Sequence, residues 1–149
     1  MGNNFEILQI EPNSSRLLNE AWLLKEEIRR EEDLLKQKWG FFAQMYHEAE
    51  KFWCVDSGTG DGLGFIAVQD SGYIFFIAVN GNRRKEGIGK YLIDSMGEKY
   101  GNIACHVRTT NLDAIGFYEK IGFEKEKLVQ RYYEDMGDAW YLVYSPNLE

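Results

Sequence analysis

The stretch Val79-Asn80-Gly81-Asn82-Arg83-Arg84-Lys85-Glu86-Gly87-Ile88-Gly89-Lys90 places three consecutive cations and closely spaced glycines between an apolar strand-like run and a helix-like one. The first amides of a helix lack intrahelical acceptors and sit at the positive end of its dipole, so the position suits a compact anion such as a pyrophosphate. Glycine lets the backbone approach phosphate oxygens with no Cβ in the way. Two familiar phosphate loops do not fit. A P-loop needs Ser or Thr after its Gly-Lys, and here Lys90 precedes Tyr91; a dinucleotide fingerprint needs a third glycine where Leu92 stands. What remains is Arg84-x-x-Gly87-x-Gly89 after a strand, which taken alone also fits a glycine-rich turn with solvated basic side chains.

That pattern resembles the pyrophosphate loop of acetyl-CoA-binding N-acetyltransferases of the GNAT superfamily. A second stretch carries the likeness further. Cys105-His106-Val107-Arg108, then Asn111, Ala114 and Phe117-Tyr118-Glu119-Lys120-Ile121-Gly122-Phe123, resembles the strand-helix signature of that superfamily. Arg131-Tyr132-Tyr133-Glu134-Asp135-Met136-Gly137-Asp138-Ala139 is similar to the tail of its protein N-terminal acetyltransferase branch, which holds bacterial ribosomal-protein acetyltransferases and archaeal Ard-type enzymes. The likeness spans residues 73 to 144; the first half of the chain matches only in the order of its elements.

The resemblance implies the GNAT fold, in which two central strands splay apart around the pantetheine arm. It also implies acetyl-CoA as co-substrate, with no metal, and transfer of the acetyl group to a primary amine by direct attack in a ternary complex. The first candidate acceptor is the α-amino group of a protein or peptide N-terminus. A small amine such as a polyamine or aminoglycoside is the alternative substrate, and a CoA-binding regulatory subunit without turnover is the alternative class. A homodimer or an auxiliary subunit is compatible with the sequence.

The resemblance also implies site residues. Arg84, Lys85, Glu86, Gly87, Ile88, Gly89 and Lys90 would hold the pyrophosphate. The amides of Ile77, Ala78 and Val79 would bind the acetyl carbonyl and the cofactor arm, with Asn111 and Tyr118 also against the cofactor. Tyr73 and His106 would hold a water that takes the amine proton, and Tyr118 would act on the thioester sulfur as a general acid. Tyr132 and Tyr133 would close over the substrate, with Phe75 lining the same mouth. Without the family, a histidine in a strand and a tyrosine pair in a hairpin are more often packing residues, and His47 is read as structural. The region near Glu32 to Gly40 lacks the Phe-Pro element of one branch, so the preference for a first residue does not carry over.

These residue types suit amine acetylation. An α-amino group with a pKa of about 7.7 to 8.0 is roughly a tenth neutral at pH 7, so a weak base suffices. A neutral imidazole can accept the proton through one water. A phenol can donate to the leaving thiolate, and strand amides can stabilise an oxyanion.

Such residues need a scaffold to hold them. Apolar and turn patterns predict strands at Phe5–Ile10, Phe52–Val55, Leu63–Val68, Tyr73–Val79, Asn102–Arg108, Phe123–Tyr133 and Ala139–Tyr144. They predict helices after Asn13-Ser14-Ser15 with Leu17, Leu18, Ala21, Trp22 and Ile28 inward, from Phe41 to Glu50 after a break at Gly40, from Gly87 to Tyr100, and from Leu112 to Lys120. The charged segment Lys25 to Asp33 reads as a solvated helix face. The order β-α-α-β-β-β-α-β-α-β-β describes one mixed α/β sheet with helices on its faces. At 149 residues, a single domain covering 1–149 is expected.

The formal charge of −7 argues against a nucleic-acid partner while leaving room for one basic socket. The longest apolar run, Tyr73 to Val79, is far short of the roughly 18 to 20 residues of a membrane helix. The first residues show no cationic-then-apolar leader, and Cys54 and Cys105 read as small buried hydrophobes of a reducing cytoplasm.

Overall fold

In the computed structural model, which describes residues 4–32, 38–80 and 87–144, the elements follow the expected order. They are β1 (Phe5–Ile10), α1 (Leu18–Glu32), α2 (Trp39–Glu48), β2 (Glu50–Asp56), β3 (Gly62–Val68), β4 (Ile74–Val79), α3 (Ile88–Tyr100), β5 (Ile103–Arg108), α4 (Leu112–Ile121), β6 (Glu124–Val129) and β7 (Ala139–Tyr144). The chain divides into two units, Met1–Asp70 with Ile74–Ile93, and Ser71–Tyr73 with Asp94–Glu149. The sheet expected as one is realised as two, β1-β2-β3-β4 and β5-β7-β6, and every ladder in both is antiparallel. The parallel component is an isolated bridge between Tyr73 and Ala104, within the second unit.

In the first unit, α1 packs on β3, β4 and α2. Phe42 and Tyr46 of α2, Trp53 of β2 and Phe65 of β3 are buried together with Ala21 of α1. Phe42 and Tyr46 of α2 and Ala49 at its end are buried and Met45 is half-buried; the Tyr46 hydroxyl is satisfied by donating to the Arg16 carbonyl at 2.6 Å. Gly40 does not break α2 but lies in its first turn with open space around it. The reading of Lys25 as part of a solvated face is corrected. Its side chain is 0% exposed, with its ammonium 4.6 Å from the Trp22 ring and 3.0 Å from Glu26. A lysine stem buries well when its charge keeps a partner. The Ile28 side chain lies outside what the structure describes.

Helix α1 begins later than the serine start signal predicts. Asn13 and Leu17 both have φ of 63°, and Ser14 Oγ accepts from the Arg16 amide at 3.2 Å. The cause lies across the fold, in Lys51 on β2. Its buried ammonium donates to the carbonyls of Glu11 (2.9 Å), Ser14 (2.7 Å) and His47 (3.2 Å), and the Asn13 amide donates to the same His47 carbonyl at 2.7 Å. His47 is structural, as expected, and its Nδ1 also meets Ser15 Oγ at 3.0 Å. Burial lowers the Lys51 pKa to about 8, so the ammonium is still charged at pH 7 and can serve three acceptors. Lys51→Met strips the donor from these carbonyls, and urea unfolding at pH 7 is expected to show a loss on the order of 3 kcal/mol.

In the second unit, β5, β7 and β6 pair through His106↔Tyr141 and Lys127↔Tyr141, with an irregularity between Lys125 and Lys127. Phe123 stacks on Tyr144 at 5.2 Å and meets Tyr118 of α4 at 4.9 Å, closing one face of this sheet. Helix α4 starts where Asn111 Oδ1 accepts from the Ala114 amide at 3.1 Å, and ends at Gly122, whose φ of 131° favours glycine. Strand β6 is shorter than the predicted Phe123–Tyr133, because Arg131 at φ 52° turns the chain out of the ladder. Both cysteines are buried thiols, as predicted.

Candidate active site

The first unit carries the elements for a cofactor. The Asn80 amide donates to the Leu63 carbonyl at 2.8 Å, which makes that pair a bonded one in the antiparallel β3–β4 ladder. Bonded and non-bonded pairs alternate, so Ala78, opposite Phe65, turns its amide toward β3. Ile77 and Val79 turn theirs to the other edge of β4, the last strand of its sheet. Of the three amides expected at the acetyl carbonyl, two are therefore directed outward. Gly64 supports this edge, since a Cβ there would stand 2.9 Å from the Ala78 carbonyl and 3.3 Å from Ile88. Gly87 opens α3 at φ 81°, and its carbonyl accepts from the Tyr91 amide at 2.9 Å. Ile88 is buried, and Gly89 and Lys90 lie in the first turn of α3, which carries no acidic residue. Arg84, Lys85 and Glu86 lie outside the described residues. Outward amides on β4 and a glycine-opened helix suit an acyl-CoA arm and its phosphates. Phe75 is half-buried against the core of this unit.

The second unit brings the expected tyrosines and histidine together. Gly72 makes the approach of Tyr73 to β5 possible. Its φ is +93°, its carbonyl accepts from the Ala104 amide at 3.2 Å, and a Cβ would lie 2.5 Å from the Asn102 carbonyl. Tyr73 Oη is thereby 2.7 Å from His106 Nδ1 and 3.3 Å from Tyr132 Oη. Tyr132 stacks on the His106 ring at 4.0 Å and 10°, and Tyr141 leans on the same ring at 5.0 Å. Tyr133 meets Tyr132 edge-on at 4.9 Å, under the Arg108 guanidinium at 4.0 Å. Arg108 is paired with Asp135 at 3.0 Å, and Asp135 also accepts from the Gly137 amide at 3.0 Å, which holds the turn that carries both tyrosines.

Burial raises the pKa of Tyr73 and takes that of Tyr133 to about 12, so both remain phenols at pH 7. His106 is shifted the other way, below 6.5, by burial first and then by the charge of Lys127. Its imidazole is neutral at pH 7. A donor order that satisfies the array runs from His106 Nδ1–H to Tyr73 Oη and from the Tyr73 hydroxyl to Tyr132 Oη, which leaves Nε2 as an acceptor. Tyr118 is buried and bonds through its hydroxyl to the Cys105 thiol, and its own pKa is raised well above 10.0 by burial and Cys105. The Tyr133 and Tyr73 hydroxyls disfavour its ionisation in the same direction.

Pattern reading missed Gly72, Tyr141 and the part played by Cys105. The Ser71-Gly72 turn before β4 was the available signal for the first; the second depends on the β5–β7 register. Asn111, expected against the cofactor, spends its carbonyl oxygen on capping α4. Among the described residues no group of three or more His, Cys, Asp or Glu is placed to hold a metal, and no helix is long and apolar enough to cross a membrane.

Residues 48–125 match the Acetyltransferase (GNAT) domain family. An uncharacterized N-acetyltransferase of Methanocaldococcus jannaschii is 31% identical over 134 residues, which cover 79% of this chain and 81% of that protein. An N-alpha-acetyltransferase of Sulfurisphaera tokodaii is 30% identical over 127 residues, covering 71% and 75%. Among solved structures, Ard1 from Thermoplasma volcanium superposes with a TM-score of 0.73 at 20% identity, covering 97% of this chain and 99% of that one.

Proposed function

Since the chain belongs to the GNAT acetyltransferase family and is an acetyl-CoA-dependent N-acetyltransferase, we propose that its acceptor is the α-amino group of a protein or peptide N-terminus. The observation that carries this reading is the Tyr73–His106–Tyr132 array. It offers a neutral acceptor nitrogen among phenol hydroxyls, chemistry matched to an amine that is already partly neutral at pH 7. The name of the Sulfurisphaera tokodaii relative, an N-alpha-acetyltransferase, supports it.

In this reading acetyl-CoA supplies the thioester, and the residues of the chain do the rest. Arg84, Lys85 and Glu86, with Gly87 to Lys90, hold the phosphates. The outward amides of Ile77 and Val79 bind the acetyl carbonyl and stabilise the oxyanion as the amine adds. His106 Nε2 takes the amine proton through one water, and Tyr73 fixes the imidazole tautomer. Tyr118 faces the leaving sulfur. A phenol held well above 10.0 cannot readily transfer its proton to a thiolate of pKa about 8.5, so Tyr118 stabilises that sulfur as a hydrogen-bond donor rather than as a full general acid. Cys105, raised to about 12 by burial, stays a thiol and offers no acyl-enzyme route. Tyr132 and Tyr133 line the entry of the N-terminus. The working unit is residues 1–149 as one domain, acting in the cytoplasm.

The test is acetyl-CoA turnover on short peptides with varied first residues, beside the same peptides with blocked N-termini, polyamines and free lysine. Turnover on peptides that vanishes when the N-terminus is blocked is expected. Turnover confined to the small amines would overturn the reading.

A further inference from the structure

We propose that Lys127 makes this enzyme selective for acceptor N-termini that carry carboxylates at their second and third residues; the proposal rests on the N-terminal acceptor reading and deepens it. Three residues form one row across the second sheet. His106 on β5 lies opposite Tyr141 on β7, and Tyr141 lies opposite Lys127 on β6. Directly paired residues share a face, so the cation stands on the same face as the proton acceptor, two strand spacings away, or roughly 10 Å. Both flank a single ring: His106 is 5.0 Å from the Tyr141 centroid and the Lys127 ammonium is 5.6 Å from it.

The charge of Lys127 is available in a way that its neighbours' charges are not. Arg108, two residues from His106 on the same strand and face, is paired with Asp135 and lies over Tyr133. Lys125 is on the other side of the ladder irregularity, over Trp140 and within 4.0 Å of Glu119. Lys127 is exposed, and its ammonium lies over the Tyr141 ring. Its field nevertheless reaches His106, where it disfavours the imidazolium. An extended peptide advances roughly 3.5 Å per residue, so a chain with its amine at His106 that follows this row brings residues two and three over Tyr141 and within reach of Lys127. A carboxylate there meets the ammonium, and a lysine meets a like charge.

The experiment compares three peptides with the same first residue and Asp-Asp, Ala-Ala or Lys-Lys at positions two and three. The wild-type enzyme is expected to prefer Asp-Asp over Lys-Lys about tenfold in kcat/KM, with the preference shrinking as salt rises. Lys127→Met should level the series and Lys127→Glu should invert it. Any effect of these substitutions on His106 falls equally on all three peptides and cancels in the ratio. Both variants change an exposed side chain on an edge strand, and circular dichroism confirms that they fold. Peptides acetylated without regard to charge, or a preference that Lys127→Glu leaves in place, would overturn this proposal alone. Failure to acetylate any peptide, with turnover on small amines, would overturn it together with the N-terminal reading.

Discussion

His106→Ala is expected to lower kcat at pH 7 by about 100- to 1,000-fold and to leave acetyl-CoA affinity unchanged, as the loss of a positioned proton acceptor would. The side chain meets Tyr73, Tyr132 and Tyr141 in the second unit, whereas the β4 edge and the start of α3 belong to the first. Acetyl-CoA binding, read by calorimetry, therefore separates a lost base from a damaged cofactor site. The pH profile gives a second readout. Burial and Lys127 hold the imidazole below 6.5, so it is neutral and active above that lowered pKa. The α-amine, with a pKa of about 7.7 to 8.0, already makes kcat/KM fall about tenfold per pH unit below pH 7, and protonation of the imidazole doubles the slope of log kcat/KM at a break below pH 6.5. Lys127→Gln should move that break upward, and His106→Ala should remove it while leaving the limb of the amine. A break that persists in His106→Ala would remove His106 from the reaction.

Gly72→Ala is expected to lower kcat/KM by about 100-fold, although residue 72 carries no reactive group. Its φ of +93° is one that side chains rarely adopt, and a Cβ would meet the Asn102 carbonyl at 2.5 Å, a backbone atom that cannot swing aside. Relief requires the hydrogen bond from the Ala104 amide to the Gly72 carbonyl to open, and Tyr73, which bridges to Ala104, moves with it. A displacement of about 1 Å in such an array is enough for a hundredfold loss. Gly101→Ala is the control, because Gly101 has φ +80° but nothing within 4 Å of a Cβ. It should cost on the order of 1 kcal/mol of stability through backbone strain and leave kcat/KM as it was. Equal activity in the two variants would show that the Tyr73 position does not depend on Gly72.

The element order was legible because each element announces itself locally. Strand β1 has the predicted bounds, and α4 opens on Asn111 and closes on Gly122 as its cap residues indicate. Boundaries slipped where a distant group outweighs a local signal. Lys51 on β2 claims the carbonyls of the Glu11–Ser14 turn, so α1 starts beyond the serines that would have capped it. Strand β6 ends early because Arg131 adopts a left-handed conformation that no apolar pattern announces, and this frees Tyr132 and Tyr133 from cross-strand pairing. Lys25 is buried against Trp22 although its neighbours in sequence are charged, since the length of its stem decides burial there.

The sequence by itself determined the family, the order of strands and helices and the candidate reactive groups. Caps, turn residues and motif spacings act over a few neighbouring residues, and a linear reading captures such short-range chemistry. Only the tertiary structure decided that Tyr73, His106 and Tyr132 share one hydrogen-bonded array, that Ile77 and Val79 rather than Ala78 turn their amides away from β3, and that Lys127 stands in a row with His106. The amide directions and the row depend on strand register, in which a shift of one residue turns a side chain or an amide to the opposite side, and the array depends also on the turns at Gly72 and Arg131. Register is set by contacts between segments far apart in the chain.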